Sequence, residues 1–157
     1  MANARKIAVD ALLRVNVDNA YSNIALNEIL NKEKPEIADK ALATALFYGV
    51  LDNKITLDYI IKKLTGKPTK KIKPYTLEAI RVGLYQLIYT DNIPPSAAVN
   101  EAVKLVKKSK EAYNSGFTNA VLRNYLRNPV KLPTDNSVFA LSVRYSCPEW
   151  IISELIN

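Results

Sequence analysis

The span from residue 74 to residue 127 constrains the fold more than any other part of this sequence. Its first half carries apolar residues at the spacing of one helix face, namely Leu77, Ile80, Leu84, Leu87 and Ile88. Gly83 lies within this pattern, where glycine costs about 1 kcal/mol relative to alanine, so we expect another segment of backbone to pass close to it. Pro94 and Pro95 suit a turn and the first positions of a following helix. We therefore predict three consecutive helices at about 74–89, 95–109 and 114–127.

Helical periodicity also extends over the rest of the chain. Asn3 is a suitable N-cap for a helix that reaches Val15, and Ser22 or Asn23 can cap a second helix. The remaining helices are predicted at about 36–51, 53–64, 136–145 and 146–157. The sequence leaves open whether the chain breaks or only bends between the first two of these. The prediction for the whole chain is an all-α fold.

Two of these helices carry more detailed expectations. For the helix at 36–51, the face expected to be buried consists of Ile37, Ala38, Ala41, Leu42, Ala45, Leu46 and Gly49. The helix after it should end at Gly66, a natural C-terminal cap. For the last helix, Ser146 is the expected N-cap and Pro148 lies in the first turn. Its apolar face continues to Asn157 without a stop signal, so we expect the natural chain to extend further.

Composition sets limits on the class of protein. The 157 residues suffice for one domain with a substantial core. One cysteine and no histidine argue against a disulfide framework and a Cys/His zinc site, and no metal is expected. The longest apolar run, Leu42 to Leu51, is too short to span a bilayer, and the amino terminus does not resemble a signal peptide. These features favour a cytoplasmic protein with no membrane contact.

Positive charge is concentrated in two parts of the chain. The formal net charge is +7, and residues 62–73 hold six lysines and no acid. Residues 102–134 hold seven bases against one acid, Glu111, whereas residues 10–58 hold eight acids against five bases. A polarised cation of this kind favours a polyanionic partner.

Three stretches resemble a known family. They are G-L-Y-Q-L-I-Y at 83–89, I-P-P-S-A-A-V-N-E-A-V at 93–103 and F-T-N-A-V-L-R at 117–123. Together they resemble the NusB-type helical domain, and more closely the version at the N-terminus of the RNA (cytosine-5) methyltransferases of the ribosomal RNA small subunit methyltransferase B family. The resemblance runs from Arg5 to Trp150. It implies a NusB-like RNA-binding helical bundle over 1–128, with 129–157 as a helical linker and the start of a truncated methyltransferase region.

The same resemblance implies a function for this chain. It would be the substrate-recognition domain of a 16S rRNA (cytosine-5) methyltransferase, with ribosomal RNA and its own C-terminal methyltransferase domain as partners. In that family the C-terminal domain binds S-adenosylmethionine through a glycine-rich loop and uses Pro-Cys and Thr-Cys motifs. None of these is in this sequence, so we expect no catalytic residue and no cofactor in residues 1–157. Cys147 stands before a proline in the order Cys-Pro and is interpreted as a packing residue.

Candidate RNA-binding residues come from the basic segments and from the resemblance. They are Arg5, Lys6, Lys62, Lys63, Lys67, Lys70, Lys71, Lys73, Arg123 and Arg127. The loop at 65–74 is expected to be exposed and to contact phosphates, but it contains no Phe or Trp for base stacking. Each of these cations could instead serve only as a solvated surface charge. A structural polar network between helices is predicted for Arg81, Glu101, Asn119 and Arg123.

Two other functions compete with this interpretation. One is a free-standing NusB-type transcription antitermination factor that binds RNA and a ribosomal protein. The helical segments predicted after residue 135 argue against it, because such a factor should end near the helix that finishes at Arg127. The other is a protein-interaction bundle, which has little use for six lysines within residues 62–73.

Overall fold

The structure, a computed structural model, describes residues 3–157, so residues 1 and 2 of the predicted domain 1–128 lie outside the described residues. This part of the chain forms nine α-helices and two short 3₁₀ turns, at Thr69–Lys71 and Ala112–Asn114. The helices are α1 (Ala4–Asn16), α2 (Ser22–Glu33), α3 (Ile37–Asp52), α4 (Lys54–Thr65), α5 (Pro74–Tyr89), α6 (Pro95–Lys107), α7 (Ser115–Arg127), α8 (Val138–Tyr145) and α9 (Glu149–Ile156). The all-α prediction is confirmed.

Helix α5 lies at the centre of the bundle. It packs against α1, α3, α4, α6 and α7, and every residue from Thr76 to Leu84 is buried. Because helices surround it, α5 also buries four polar side chains, Thr76, Glu78, Arg81 and Gln86. Buried polar groups must be hydrogen-bonded, so α5 organises the polar contacts of the fold as well as its apolar core.

The close approach expected at Gly83 is present, although the neighbours are side chains rather than backbone. A Cβ atom at this position would lie 2.8 Å from Leu122 Cδ1 of α7 and 3.5 Å from Ala102 Cβ of α6. Glycine therefore lets α6 and α7 pack closely against α5, as the small residues of α6 also do.

The buried face predicted for α3 was wrong at most of its positions, although Leu46 is in the core and Leu42 packs against it. Ile37 is 89% exposed, and Ala38, Ala41 and Ala45 are exposed as well. The core side chains of this helix are Ala43, Leu46, Phe47 and Val50. Apolar residues lie on both the buried and the exposed sides of α3, so its periodicity did not select a face. The face with the larger side chains packs against α1 and α5.

The helix ends agree with prediction at some positions and differ at others. The chain breaks at Asn53, which separates α3 from α4. Asn3 caps α1 by accepting hydrogen bonds from the backbone N–H groups of Arg5 and Lys6, and Gly66 ends α4 with φ of 71°. The second helix begins one residue early, after Tyr21, without a side-chain cap. The predicted cap at Ser22 or Asn23 was therefore wrong.

Ser146 also differs from its predicted role as N-cap of the last helix. It follows α8 as a left-handed C-cap with φ of 49°, and α9 begins at Glu149 after Pro148. Its Oγ accepts a hydrogen bond of 3.1 Å from the backbone N–H of Ile55, at the start of α4. The hydroxyl of Thr56 donates to the carbonyl oxygen of Val143. The segment after residue 128 is thereby fastened to α4, and the division at 128/129 stays a prediction.

Candidate nucleic-acid interface

A buried ion network fixes α4 against α5. Arg81 is 3% exposed, and its Nε and Nη2 donate to the two carboxylate oxygens of Asp58, both at 2.8 Å. Its Nη1 donates to Glu78 Oε2 at 2.8 Å, and Asn16 of α1 donates to the same oxygen at 3.1 Å. Burial alone lowers the pKa of Arg81, but hydrogen bonds and charge from Asp58 and Glu78 outweigh it and leave the pKa raised. The guanidinium is therefore a fixed charge that orients Asp58.

Glu78 is the member of this network whose hydrogen bonding is incomplete. Its Oε1 is buried and has no hydrogen-bond partner within residues 3–157. Burial raises the pKa of Glu78, although Arg81 and Asn16 both favour the ionised form. The net effect is a pKa above that of an ordinary glutamate.

The structure does not bring together the four residues of the predicted polar network. Arg81 bonds to Asp58 and Glu78, whereas Arg123 on α7 donates from Nε to Asn119 Oδ1 at 3.0 Å. Glu101 lies 3.7 Å from Lys104 on its own helix. The need of Arg81 for a buried carboxylate could be predicted. Its main partner, Asp58, is 23 residues distant in sequence and gave no local signal.

Glu111, the acid within the basic segment 102–134, caps α5 from a distance. Its carboxylate accepts hydrogen bonds from the backbone N–H groups of Tyr75 at 3.1 Å and Thr76 at 2.9 Å, and from the Thr76 hydroxyl at 2.7 Å. A carboxylate at a helix N-terminus satisfies free N–H groups and complements the helix dipole. Glu111 therefore fixes the loop after α6 beside the end of the loop at 65–74.

Basic side chains line three neighbouring depressions. One lies among Lys6, Tyr75, Lys108 and Lys110. The second contains Lys67, Lys71, Lys73, Tyr113 and Phe117. The third contains Tyr59, Lys62, Lys63 and Phe139. They share no lining residue but are neighbours along the chain. Tyr75 of the first lies two residues after Lys73 of the second, and Gly66 of the third directly precedes Lys67 of the second.

We call this surface the basic band and define it by eight lysines: Lys6, Lys62, Lys63, Lys67, Lys71, Lys73, Lys108 and Lys110. Aromatic rings lie between the cations. Lys67 Nζ is 5.4 Å from the ring centroid of Phe117, and Lys63 Nζ is 5.5 Å from that of Tyr59. Cations interleaved with aromatic rings are typical of single-stranded nucleic-acid surfaces.

Tyr75 adds a hydrogen-bond donor to the basic band. Burial, with the negative charges of Asp10 and Glu111, raises the pKa of Tyr75 to about 12. The phenol therefore stays protonated at neutral pH and can donate to a phosphate oxygen.

Sequence reasoning missed part of the basic band. Lys108 and Lys110 belong to a basic segment that was recognised, but they were not selected as candidate residues. The aromatic rings were missed because they come from α4, the loop before α7, α7 itself and α8. Only the fold brings them to the loop at 65–74.

Four of the candidate cations lie elsewhere. Arg5 is half-buried, and its Nε donates to Gln86 Oε1 at 2.9 Å. Lys70 is exposed on the 3₁₀ turn and lines none of the three depressions. Arg123 reaches Asn100 on α6 at 3.5 Å, and Arg127 is the exposed last residue of α7. These positions do not test whether any of the four contacts RNA.

A sequence model of the NusB family matches residues 2–127. The chain belongs to the NusB family. This NusB-family chain is 36% identical over 154 residues to the probable ribosomal RNA small subunit methyltransferase B of Bacillus subtilis, and 34% identical to the protein of that name from Synechocystis sp.. In both comparisons 97% of this chain is covered, but it spans only 34% of the relative's length. The predicted resemblance to this methyltransferase family is confirmed.

A solved structure supports the fold of the NusB-family chain. The chain described as the crystal structure of PH0851 superposes with a TM-score of 0.79 and 19% sequence identity. The match covers 99% of this chain and 35% of that one. At this identity the comparison shows the fold alone. It extends past α7 and includes the segment that carries α8 and α9.

Neither a metal-binding cluster nor a membrane-spanning helix is found in the described residues. Across residues 3–157 there is no group of three or more His, Cys, Asp or Glu side chains that could hold a metal ion. Within the same residues, no helix has the length and apolar character needed to cross a bilayer.

Proposed function

We propose that this NusB-family chain is the RNA-binding, substrate-recognition domain of a 16S rRNA (cytosine-5) methyltransferase. The basic band carries the proposal, since it places eight lysines and interleaved aromatic rings in three neighbouring depressions. Lysine ammonium groups neutralise phosphates without reading sequence, so this surface holds the strand and positions it. The sequence similarity to methyltransferase B relatives supports ribosomal RNA as the partner.

Methyl transfer itself is assigned in this proposal to a separate C-terminal domain that binds S-adenosylmethionine. The four glycines of this chain are dispersed over α3, the end of α4, α5 and α7, so they do not form a nucleoside-binding loop. The apolar side chains exposed on α9, Trp150, Leu155 and Ile156, provide a surface for that domain. The chain described here contributes binding, and the other domain contributes chemistry.

The antitermination factor remains the weaker candidate. The NusB match ends at residue 127, but the similarity to the methyltransferase B relatives covers 97% of the chain and thus includes the helices that follow. That extension favours the methyltransferase over a free-standing factor.

Titration of residues 1–157 with a fluorescently labelled single-stranded fragment of small-subunit rRNA tests the proposal. We expect an anisotropy change that reports a complex with a Kd of about 10⁻⁴ to 10⁻⁶ M or tighter. The absence of a complex in dilute buffer would refute the proposal.

A further inference from the structure

The third depression of the basic band is a pocket between α4 and α8, which we call the α4–α8 pocket. Its volume is about 660 Å³, within the usual range for small-molecule sites. The side chains that matter for its chemistry are Asp58, Tyr59, Lys62, Lys63 and Phe139. It differs from the other two depressions in having a pair of contacting aromatic rings together with a carboxylate that caps no helix.

The aromatic wall is formed by Tyr59 of α4 and Phe139 of α8. Their ring centroids are 5.9 Å apart and the ring planes are inclined at 60°. Phe139 is 50% exposed, although a phenylalanine of a packed helix is ordinarily buried. An exposed ring held in place by a neighbouring ring offers a flat π-surface for stacking.

The rim of the α4–α8 pocket is cationic. Lys62 and Lys63 are both exposed on the last turn of α4. Neither is within 4.0 Å of a carboxylate oxygen in the part of the chain that the structure describes. Although Lys63 Nζ lies over the Tyr59 ring, neither ammonium group is neutralised by an ion pair, so both can neutralise a phosphate next to the pocket.

The floor is an oriented hydrogen-bond acceptor. Both oxygens of Asp58 accept from Arg81, and the side chain is still 25% exposed. An ionised carboxylate has about four acceptor sites, so lone pairs remain for a donor that enters the pocket. Because Arg81 fixes the rotamer, Asp58 presents these lone pairs in a set direction.

We propose that the α4–α8 pocket binds one unstacked nucleobase of an RNA strand held by the basic band. The base stacks on Phe139, its exocyclic amino group donates to Asp58, and the adjacent phosphate lies between Lys62 and Lys63. Single-stranded RNA is commonly recognised in this way, by aromatic stacking together with hydrogen bonds to the base edge. The inference rests on the proposed function and adds to it a site where the strand is held by a base rather than by phosphates alone.

An RNA base fits this pocket better than an apolar peptide segment does. A peptide side chain would place hydrocarbon against Asp58 and would leave the lysine charges without a counter-ion. Gly66 of the pocket is next in the chain to Lys67 of the second depression, so a strand lying along the basic band would reach the pocket.

Phe139→Leu tests the inference, because leucine keeps apolar volume and removes the π-face. We expect it to weaken RNA binding roughly 5- to 100-fold, the usual range for loss of one stacked base, while the slope of log Kd against log salt is unchanged. Phe139→Tyr keeps the ring and should bind as the wild type does. Tyr21→Leu, an exposed aromatic outside the basic band, is the matched control.

Abasic substitution shows whether the contact is to a base. When each nucleotide of the RNA in turn is replaced by an abasic ribose, one position should weaken binding of the wild type. That loss should largely disappear with Phe139→Leu, because the two changes remove the same contact. Lys62→Gln together with Lys63→Gln should instead reduce the salt slope, by about 0.7 for the one phosphate that lies between them.

The results separate the two proposals. If the wild type binds RNA and Phe139→Leu binds equally well with melting unchanged, the pocket inference is overturned and the proposed function stands. If Phe139→Leu leaves RNA binding intact but abolishes association with the methyltransferase domain, the occupant is protein and the inference is likewise overturned. If the wild type forms no RNA complex, the proposed function fails and the pocket inference with it.

Discussion

At the scale of single residues, the polar groups of α5 show how a helix surrounded by others meets its hydrogen-bonding needs. Arg81 is matched by two carboxylates, and Gln86 accepts from Arg5 while donating to the carbonyl oxygen of Val82. Glu78 is only partly matched, since one of its oxygens has no partner among the described residues. These differences in satisfaction lead to different expectations for substitution.

Glu78 should make stability depend on pH in the direction opposite to most acidic residues. Burial raises its pKa in the folded chain, so the folded state holds a proton more tightly than the unfolded state. Its contribution is most favourable below the unfolded pKa of about 4.3 and declines as pH rises through the folded pKa. In Glu78→Gln this titration is absent. The free energy of unfolding of the wild type, relative to this variant, should therefore fall as pH increases.

Urea unfolding at a series of pH values measures this difference. Glu33→Gln, at an exposed position on α2, is the control and should follow the wild type at each pH. A constant difference between the wild type and Glu78→Gln would mean that Glu78 titrates as an ordinary carboxyl group.

Glu111→Ala should destabilise the fold by about 1–3 kcal/mol. The carboxylate satisfies two backbone N–H groups and one hydroxyl at the start of α5, and alanine leaves them without that acceptor. Thermal and urea unfolding measure the loss. Glu154→Ala removes an exposed acid from α9 and should change stability by less than about 0.5 kcal/mol. Equal effects of the two substitutions would contradict the capping role.

At the scale of elements, the loop at 65–74 is ordered by its contacts rather than left as a mobile tether. Ile72 is buried, Lys67 lies over Phe117, and Glu111 fixes the start of α5 just beyond the loop. The lysines of this loop therefore project from a fixed backbone. A fixed set of cations loses less conformational entropy on binding than a flexible one.

Reversing Lys67, Lys71 and Lys73 to Glu should weaken RNA binding on the order of 100-fold at about 0.1 M salt, since each phosphate contact contributes about 0.7 to the salt slope. The slope itself should fall by about 2. The matched control reverses Lys32, Lys34 and Lys40, three exposed lysines of the α2–α3 region, with an identical change in net charge. Anisotropy titrations at several salt concentrations measure both quantities. Similar losses in the two triple variants would show that net charge, rather than the basic band, governs binding.

At the scale of the whole molecule, acidic residues are concentrated in residues 10–58, whereas the lysines of the basic band come from other segments. The eight lysines of the basic band come from α1, α4, the loop at 65–74 and the loop after α6. None of these segments could form the surface alone. The fold, through α5 and its distant cap, assembles it.

Salt dependence should report the extent of this surface. If every lysine of the basic band met one phosphate, the slope of log Kd against log salt for single-stranded RNA would be about 5 to 6. A strand that follows the whole band should approach this upper limit, and shorter oligonucleotides should give proportionally smaller slopes. A slope that is independent of oligonucleotide length would argue for a compact contact at one depression.

The sequence predicted the elements better than it predicted their contacts. The bounds of α5, α6 and α7 were obtained to within two residues, because strong apolar periodicity and well-placed prolines define them. The buried face of α3 was not predicted correctly, since alanines lie on both its exposed and its buried sides. The partner of Arg81 and the aromatic rings of the basic band depend on residues far apart in the chain, for which periodicity carries no information.

The hydrogen bonds that join α8 to α4 determine where the chain can be truncated without disturbing α4. The family match ends at residue 127, and a fragment cloned to that point would look complete by alignment. It would nevertheless expose the amide of Ile55 and the hydroxyl of Thr56 to solvent and would take Phe139 away from Tyr59. Such a truncated fragment should fray first at the beginning of α4. A fragment that ends after Ser146 keeps the hydrogen bonds of Ile55 and Thr56.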